Sequence, residues 1–87
     1  MPSGVIDYIR GYKGTSFEAD DPKYVNIPYF VTRLGCRYEV TIYFSGHYDI
    51  HDCYGNEMSK EHLPKRISSI ADAKEVFDYC ENLPKCV

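Results

Sequence analysis

The fold is decided by the stretch YVNIPYFVTRLGCRYEVTIYFSGHYDIHDC, residues 24–53. It is rich in Val, Ile, Tyr, Phe and Thr, which are the residue types enriched in β-strands. Two dipeptides, Leu34-Gly35 and Ser45-Gly46, interrupt it at points where the chain can reverse direction. The stretch therefore predicts consecutive strands of an antiparallel sheet, joined by short turns.

The strand pairing is predicted from side-chain alternation, because a one-residue slip moves every apolar side chain to the opposite face. A loop of two or four residues around Leu34-Gly35 is expected at the first turn, and a three-residue loop, residues 45–47, at the second. An even second loop would bury Asp49 and His51 without an evident partner, which is costly. The resulting core face consists of Val25, Ile27, Tyr29, Val31, Tyr38, Val40, Ile42, Phe44, Tyr48 and Ile50.

The opposite face of the predicted sheet is more polar. It carries Asn26, Phe30, Thr32, Glu39, Thr41, Tyr43, Asp49, His51 and Cys53. Pro28 also points this way and cannot donate a hydrogen bond to a neighbouring strand, so its strand is predicted to be an edge strand or to contain a bulge.

A C-terminal helix is predicted from apolar residues that recur every three or four positions. These residues are Ile70, Ala73, Val76, Phe77, Cys80 and Leu83. Ser69 and Asp72 have the spacing of a capping box, and Pro84 places the end of the helix at about Asn82 or Leu83. We expect this amphipathic helix to cover the apolar face of the sheet.

The first twenty residues fit two structures. Val5, Ile6 and Ile9 suit a short helix that begins near Ser3, whereas the alternation around Asp7 also permits a strand. We favour the helix. The whole chain, residues 1–87, is then predicted to be one α+β domain, with an antiparallel sheet of three to four strands and a C-terminal helix on one face.

Composition and charge exclude several classes of function. The chain has 87 residues and a net charge of −3, and its basic residues are scattered, so a surface for direct nucleic-acid binding is not expected. No apolar run approaches the roughly 20 residues that cross a bilayer, and residues 1–4 lack the pattern of a signal peptide. We therefore expect a cytoplasmic protein without membrane contact.

The four cysteines permit two interpretations. Two disulfides would suit a secreted protein, but in a reducing cytoplasm free and mostly packed thiols are favoured. Asp49, His51 and Cys53 alternate along one strand, and with His62 or Cys36 they form an alternative, a small metal-binding module. An ordinary strand facing solvent is preferred, so no metal, cofactor or catalytic site is predicted, and the protein is not expected to be an enzyme.

The candidate partner-binding residues are aromatic and acidic. Phe30 and Tyr43 are predicted to project from the uncovered face of the sheet beside Glu39, Asp49 and His51, and aromatic residues are enriched in protein interfaces. The alternative is that the N-terminal segment folds over this face and buries both aromatic rings. A second acidic edge is expected along the C-terminal helix, at Asp72, Glu75, Asp78 and Glu81, although such residues are often just the solvated face of a helix.

In overall pattern the chain resembles small accessory proteins of phages and mobile elements, of the anti-CRISPR type. The two short hairpins in residues 24–53 and the helix entry ISSIADAK, residues 67–74, carry this resemblance. It implies a non-enzymatic inhibitor that occupies a basic or nucleic-acid-binding surface of a larger host defence protein. It assigns no functional residue. A homodimer or homo-oligomeric structural subunit is the further alternative.

Overall fold

Two helices and a four-stranded antiparallel sheet form the part of the chain that the structure, a computed structural model, describes: residues 1–18, 27–35 and 37–84. In chain order the elements are α1 (Ser3–Gly11), β1 (Thr15–Glu18), β2 (Tyr29–Leu34), β3 (Tyr38–Tyr43), β4 (Tyr48–His51) and α2 (Ile70–Glu81). The strands lie in the sheet in the order β1-β2-β3-β4. The predicted α+β fold is confirmed.

The core lies between one face of the sheet and a layer that contains both helices. Both helices contact β2 and each other. The core cluster consists of Val5, Ile9, Phe30, Leu34, Tyr38, Val40, Ile42, Tyr48, Ile50, Ile67, Ala73, Val76, Phe77 and Cys80. We call this side of the sheet the covered face. Removing these apolar side chains from water is the main stabilising contribution to such a fold.

Helix α2 begins and ends where the sequence predicts. Ser69 is the N-cap residue, and its Oγ accepts a hydrogen bond from the Asp72 amide at 3.1 Å. Within the helix, Val76 and Phe77 are completely buried. Ile70 was predicted to share this apolar face, but this residue of the first helical turn is 41% exposed.

The first turn differs from the prediction and reverses the orientation of β2. Leu34 is the last strand residue and lies opposite Tyr38, so an odd number of residues forms the loop. Gly35 takes the positive φ of 56° that the turn requires, which leaves Leu34 extended. The two strands are therefore paired three residues away from the predicted register. Phe30 faces the core and is fully buried, whereas Ile27 is 47% exposed, so both predictions for these residues were wrong.

The other residues near β2 follow from the same shift. Tyr29 and Val31, predicted to face the core, lie on the opposite face of the sheet. Thr32 faces the core, where its hydroxyl is 2.9 Å from that of Thr15. Strand β2 lies between β1 and β3, so the prediction of an edge strand was wrong. Pro28 precedes the strand, and its missing amide hydrogen therefore interrupts no ladder.

The second turn has an odd number of loop residues, as predicted, but the loop begins one residue earlier in the chain. Ile42 lies opposite Tyr48, which makes residues 44–46 the three-residue loop. The inward orientation of Tyr48 and Ile50 is confirmed, since both side chains are fully buried. Gly46 has a φ of 92°, and a Cβ atom at this position would lie only 2.7 Å from the carbonyl oxygen of Ile67. The close approach of residues 66–67 to this turn therefore requires glycine.

The N-terminal segment is a helix, as favoured, and it packs on the covered face. The rings of Tyr8 and Tyr12 lie 6.3 Å and 4.4 Å from that of Phe77 in α2. Helix α1 thus does not bury the opposite face. The predictions for Val25, Asn26 and Cys36 lie outside the described residues. Within those residues, no helix combines the length and the apolar character needed to cross a membrane.

Candidate protein-binding surface

The side of the sheet that faces away from both helices carries alternate residues of all four strands. We call it the open face. From the strand register it consists of Ser16, Glu18, Tyr29, Val31, Arg33, Glu39, Thr41, Tyr43, Asp49 and His51. Because residues paired in adjacent strands lie side by side, these side chains form rows across the sheet.

One row is aromatic. Tyr29 lies opposite Tyr43, and their ring centroids are 5.6 Å apart with an angle of 45° between the ring planes. Glu18 lies on the other side of Tyr29, in β1. All three residues are partly exposed. This row offers two tilted rings next to a carboxylate, a combination that suits a cationic side chain.

The middle row has an apolar centre. Val31 is only 8% exposed although neither helix of the described residues covers this face, and Ser16 and Thr41 lie beside it. Thr41 in turn lies opposite Asp49. The Asp49 carboxylate accepts a hydrogen bond from Lys60 Nζ at 3.3 Å, so its charge is locally paired.

Charged residues form the third row. Arg33 Nε lies 3.2 Å from Glu39 Oε1, and both side chains are about half exposed. Arg33 Nη1 also donates to Ser16 Oγ at 3.4 Å. Glu39 lies opposite His51. An exposed pair of this kind contributes only about 0–1 kcal/mol to stability, so a competing cation can displace Arg33 at little cost.

Four of the five sheet residues predicted for the binding patch do share this face. Glu39, Tyr43, Asp49 and His51 are placed together, because the orientations of β3 and β4 were predicted correctly. Phe30 is not available to a partner. It is fully buried on the covered face, with Arg10 5.9 Å above its ring and the Phe44 ring stacked 5.3 Å away.

Sequence reasoning missed five residues of the open face: Ser16, Glu18, Tyr29, Val31 and Arg33. The signal was present at the first turn. Gly35 is the residue that tolerates a positive φ, so Leu34 could have been kept in the strand. The loop would then have had an odd number of residues, and Tyr29 would have been predicted to face outward.

The acidic residues of α2 do not form the predicted second edge. They are Asp72, Glu75, Asp78 and Glu81. Each step of three residues falls about 60° short of a full helical turn, so the series winds around the helix. Asp72 and Glu81, at its two ends, therefore point in nearly opposite directions.

Two of these four acids are also used within the molecule. The Ser68 amide donates to the Asp72 carboxylate at 3.0 Å and holds its pKa below the usual range. Glu81 lies 3.1 Å from Lys13 Nζ, and this contact lowers its pKa. Only Glu75 and Asp78 are exposed without such a role. Since α2 packs on the covered face, one flat partner surface cannot contact these two acids and the open face together.

The cysteines bear on the metal-binding alternative. Cys53 forms a disulfide bond, so its sulfur is not a thiolate ligand. The other cysteine of this bond lies outside the described residues, and the expectation that Cys53 is a free thiol was wrong. Across residues 1–18, 27–35 and 37–84, no three His, Cys, Asp or Glu side chains are close enough to hold one metal ion.

Cys80 is a free thiol in the core. Burial raises its pKa to about 12, which keeps the sulfur protonated at neutral pH. A protonated and inaccessible thiol is a poor nucleophile, because the thiolate is the reactive form. Cys80 therefore packs as a small apolar side chain.

Comparison with protein-family models, with curated proteins and with solved structures found no match to this chain. The functional argument therefore depends on the chain's own residues and their geometry.

Proposed function

We propose that this protein is a non-enzymatic binding module whose open face binds a larger protein partner with a basic surface. The observation that carries the proposal is the open face itself. Within the described residues both helices lie on the other side of the sheet, yet the open face presents paired tyrosines and a nearly buried valine. Aromatic side chains surrounded by polar groups are a common composition for the energetic centre of an interface.

Charge supports a basic partner. The chain has a net charge of −3, and the open face carries three carboxylates, Glu18, Glu39 and Asp49. Two of these are paired with Arg33 and Lys60 through partly exposed contacts. Such contacts are weak, so a guanidinium or ammonium group of the partner can replace or join them. Complementary charge would also accelerate association at low ionic strength.

The narrower hypothesis is an inhibitor of a host defence protein. It follows from the resemblance to anti-CRISPR-type accessory proteins, and we keep it as a proposal together with phage origin. A nucleic-acid-binding surface on the partner would fit, because such surfaces are basic. A cytoplasmic location stays a prediction. The disulfide at Cys53 argues against it, because disulfides persist mainly in oxidising compartments.

Two substitutions on the open face test the function. Tyr43→Ala removes one ring of the tyrosine pair, and Asp49→Lys reverses a charge beside it. Together they should weaken binding of the captured and purified partner at least about 100-fold, because central interface residues each contribute about 2 kcal/mol or more. Since both residues are partly exposed, the melting temperature should fall by less than about 8 °C.

The matched control is Asp78→Lys, which makes the same charge change on the exposed side of α2. It should leave binding within about twofold, because α2 lies on the covered face. Isothermal titration calorimetry on the three proteins measures the difference. Equal affinity of the double variant and the wild type would remove the open face as the binding site. Light scattering over a concentration series separates the alternative, a homodimer or homo-oligomeric subunit, from a single bound partner.

A further inference from the structure

A cleft of about 640 Å³ lies at the end of the sheet where the first turn meets the turn that follows β4. Its lining includes Arg33, Arg37, Glu39, His51, Asp52 and Cys53. Volumes of this size accommodate small molecules. Arg33, Glu39 and His51 also belong to the open face, but Arg37 and the turn residues give the cleft a different chemistry.

Both carboxylates that line the cleft are already used. Glu39 is paired with Arg33 at 3.2 Å. Asp52 accepts hydrogen bonds from the backbone amides of Tyr54 and Asn56, each at 2.9 Å, and a third from the Asn56 side chain at 3.3 Å. The Asp52 carboxylate therefore stabilises the turn that contains it. Neither carboxylate forms an ion pair with a second cation within the described residues.

Arg37 is that second cation. Its side chain is exposed, and no carboxylate in the described part of the chain lies within 4.0 Å of it. Arg33 has donors beyond those it gives to Glu39 and Ser16, because a guanidinium carries five N–H groups. Two guanidinium groups and two carboxylates thus line the cleft and balance in formal charge, but the guanidinium groups keep unused donors.

The backbone at Arg37 gives an independent indication. Its φ is 70°, and it is the one residue other than glycine with a positive φ among the described residues. This left-handed conformation is strained for a residue with a Cβ atom. Strained backbone is concentrated at functional sites. An arginine at a position where glycine or asparagine would be less strained supports a role for the guanidinium.

We propose that the cleft binds a small oxyanion, a carboxylate or a phosphate, through the guanidinium groups of Arg37 and Arg33. Guanidinium groups bind both chemistries through paired hydrogen bonds. His51 also lines the cleft and offers a ring N–H. This site goes beyond the proposed protein-binding function and does not depend on it, since it requires only this chain and a free anion.

The test is a titration followed by amide NMR spectra of the whole chain. Inorganic phosphate and glutarate are the two probes, and sodium chloride of equal ionic strength is the blank. Phosphate or glutarate should shift the amide signals of Gly35, Arg37 and Gly55 along saturable curves. Saturation by only one probe identifies which oxyanion the cleft takes. Shifts that neither saturate nor exceed those in sodium chloride would show an adventitious ion only and overturn the proposal.

Three variants separate binding from stability. Arg37→Gly should weaken binding about tenfold or more, because a charge-assisted contact is lost, while the melting temperature stays equal or rises as strain is relieved. Arg37→Asn tolerates the same backbone and should behave alike. Arg66→Ala removes the same charge beside Gly46, at the opposite end of the sheet, and should bind as the wild type does. Retained affinity in both Arg37 variants would overturn the proposal.

Discussion

The covered and open faces are built from alternate residues of the same four strands, yet they differ in how strongly the fold constrains their side chains. On the covered face, Phe30, Ile42 and Tyr48 are fully buried and packed against the helices. On the open face, Tyr29, Tyr43 and Asp49 are partly exposed, and the ion pairs between side chains are weak. The covered face therefore determines stability, which leaves the open face available for recognition.

The largest expected effect tests this difference between the two faces at two neighbouring residues of β2. Phe30→Ala should destabilise the protein by about 3–5 kcal/mol, because it leaves a cavity in the core. Tyr29→Ala should cost about 1 kcal/mol, since its ring is partly exposed on the open face. Urea unfolding of the two variants measures both values. A larger destabilisation by Tyr29→Ala than by Phe30→Ala would support the register predicted from the sequence, in which Tyr29 faces the core and Phe30 faces outward.

A smaller effect is expected from reduction of the disulfide at Cys53, which lines the cleft beside the open face. Breaking the bond should lower the free energy of unfolding by about 2–4 kcal/mol, since the unfolded chain gains freedom. Thermal melts with and without a phosphine reductant measure this change. The control is Cys53→Ser, which should melt at the same temperature in both buffers. A wild type insensitive to the reductant would contradict the presence of this bond.

The smallest effect concerns the entry of α2, the helix that covers the core. Hydrogen bonds from Ser68 lower the pKa of Asp72, so the folded state binds its proton more weakly than the unfolded state. The resulting stability, less than about 1 kcal/mol, is present above the unfolded pKa of about 3.9 and lost as pH falls through the folded pKa.

Asp72→Asn, which cannot titrate, checks this sign. The wild type should melt above the variant at pH 6, and the difference should disappear as the pH falls below the lowered pKa of Asp72. Glu75→Gln, a similar change at an exposed position of α2 outside the cap, serves as the control and should show no such convergence. A difference that grows on acidification would show that the Asp72 carboxylate destabilises the helix entry.

Much of the candidate site was predictable from the sequence. Strands β3 and β4 alternate strongly between apolar and polar residues, so only one orientation keeps Asp49 and His51 out of the core. Strand β2 does not alternate in this way. Tyr29 and Val31 are as apolar as Phe30 and Leu34, so hydrophobic pattern alone could not choose between its two faces. The choice depended on loop length, which was set by the backbone conformation at Gly35.

The sequence by itself determined the α+β class, the limits of α2 and the outward orientation of Glu39, Tyr43, Asp49 and His51. These features depend on local periodicity, capping and alternation, which nearby residues specify. Only the tertiary structure decided the orientation of β2, the position of α1 and the cleft around Arg37. Those depend on which distant segments compete for the same apolar surface, and on how two turns far apart in the chain meet in space.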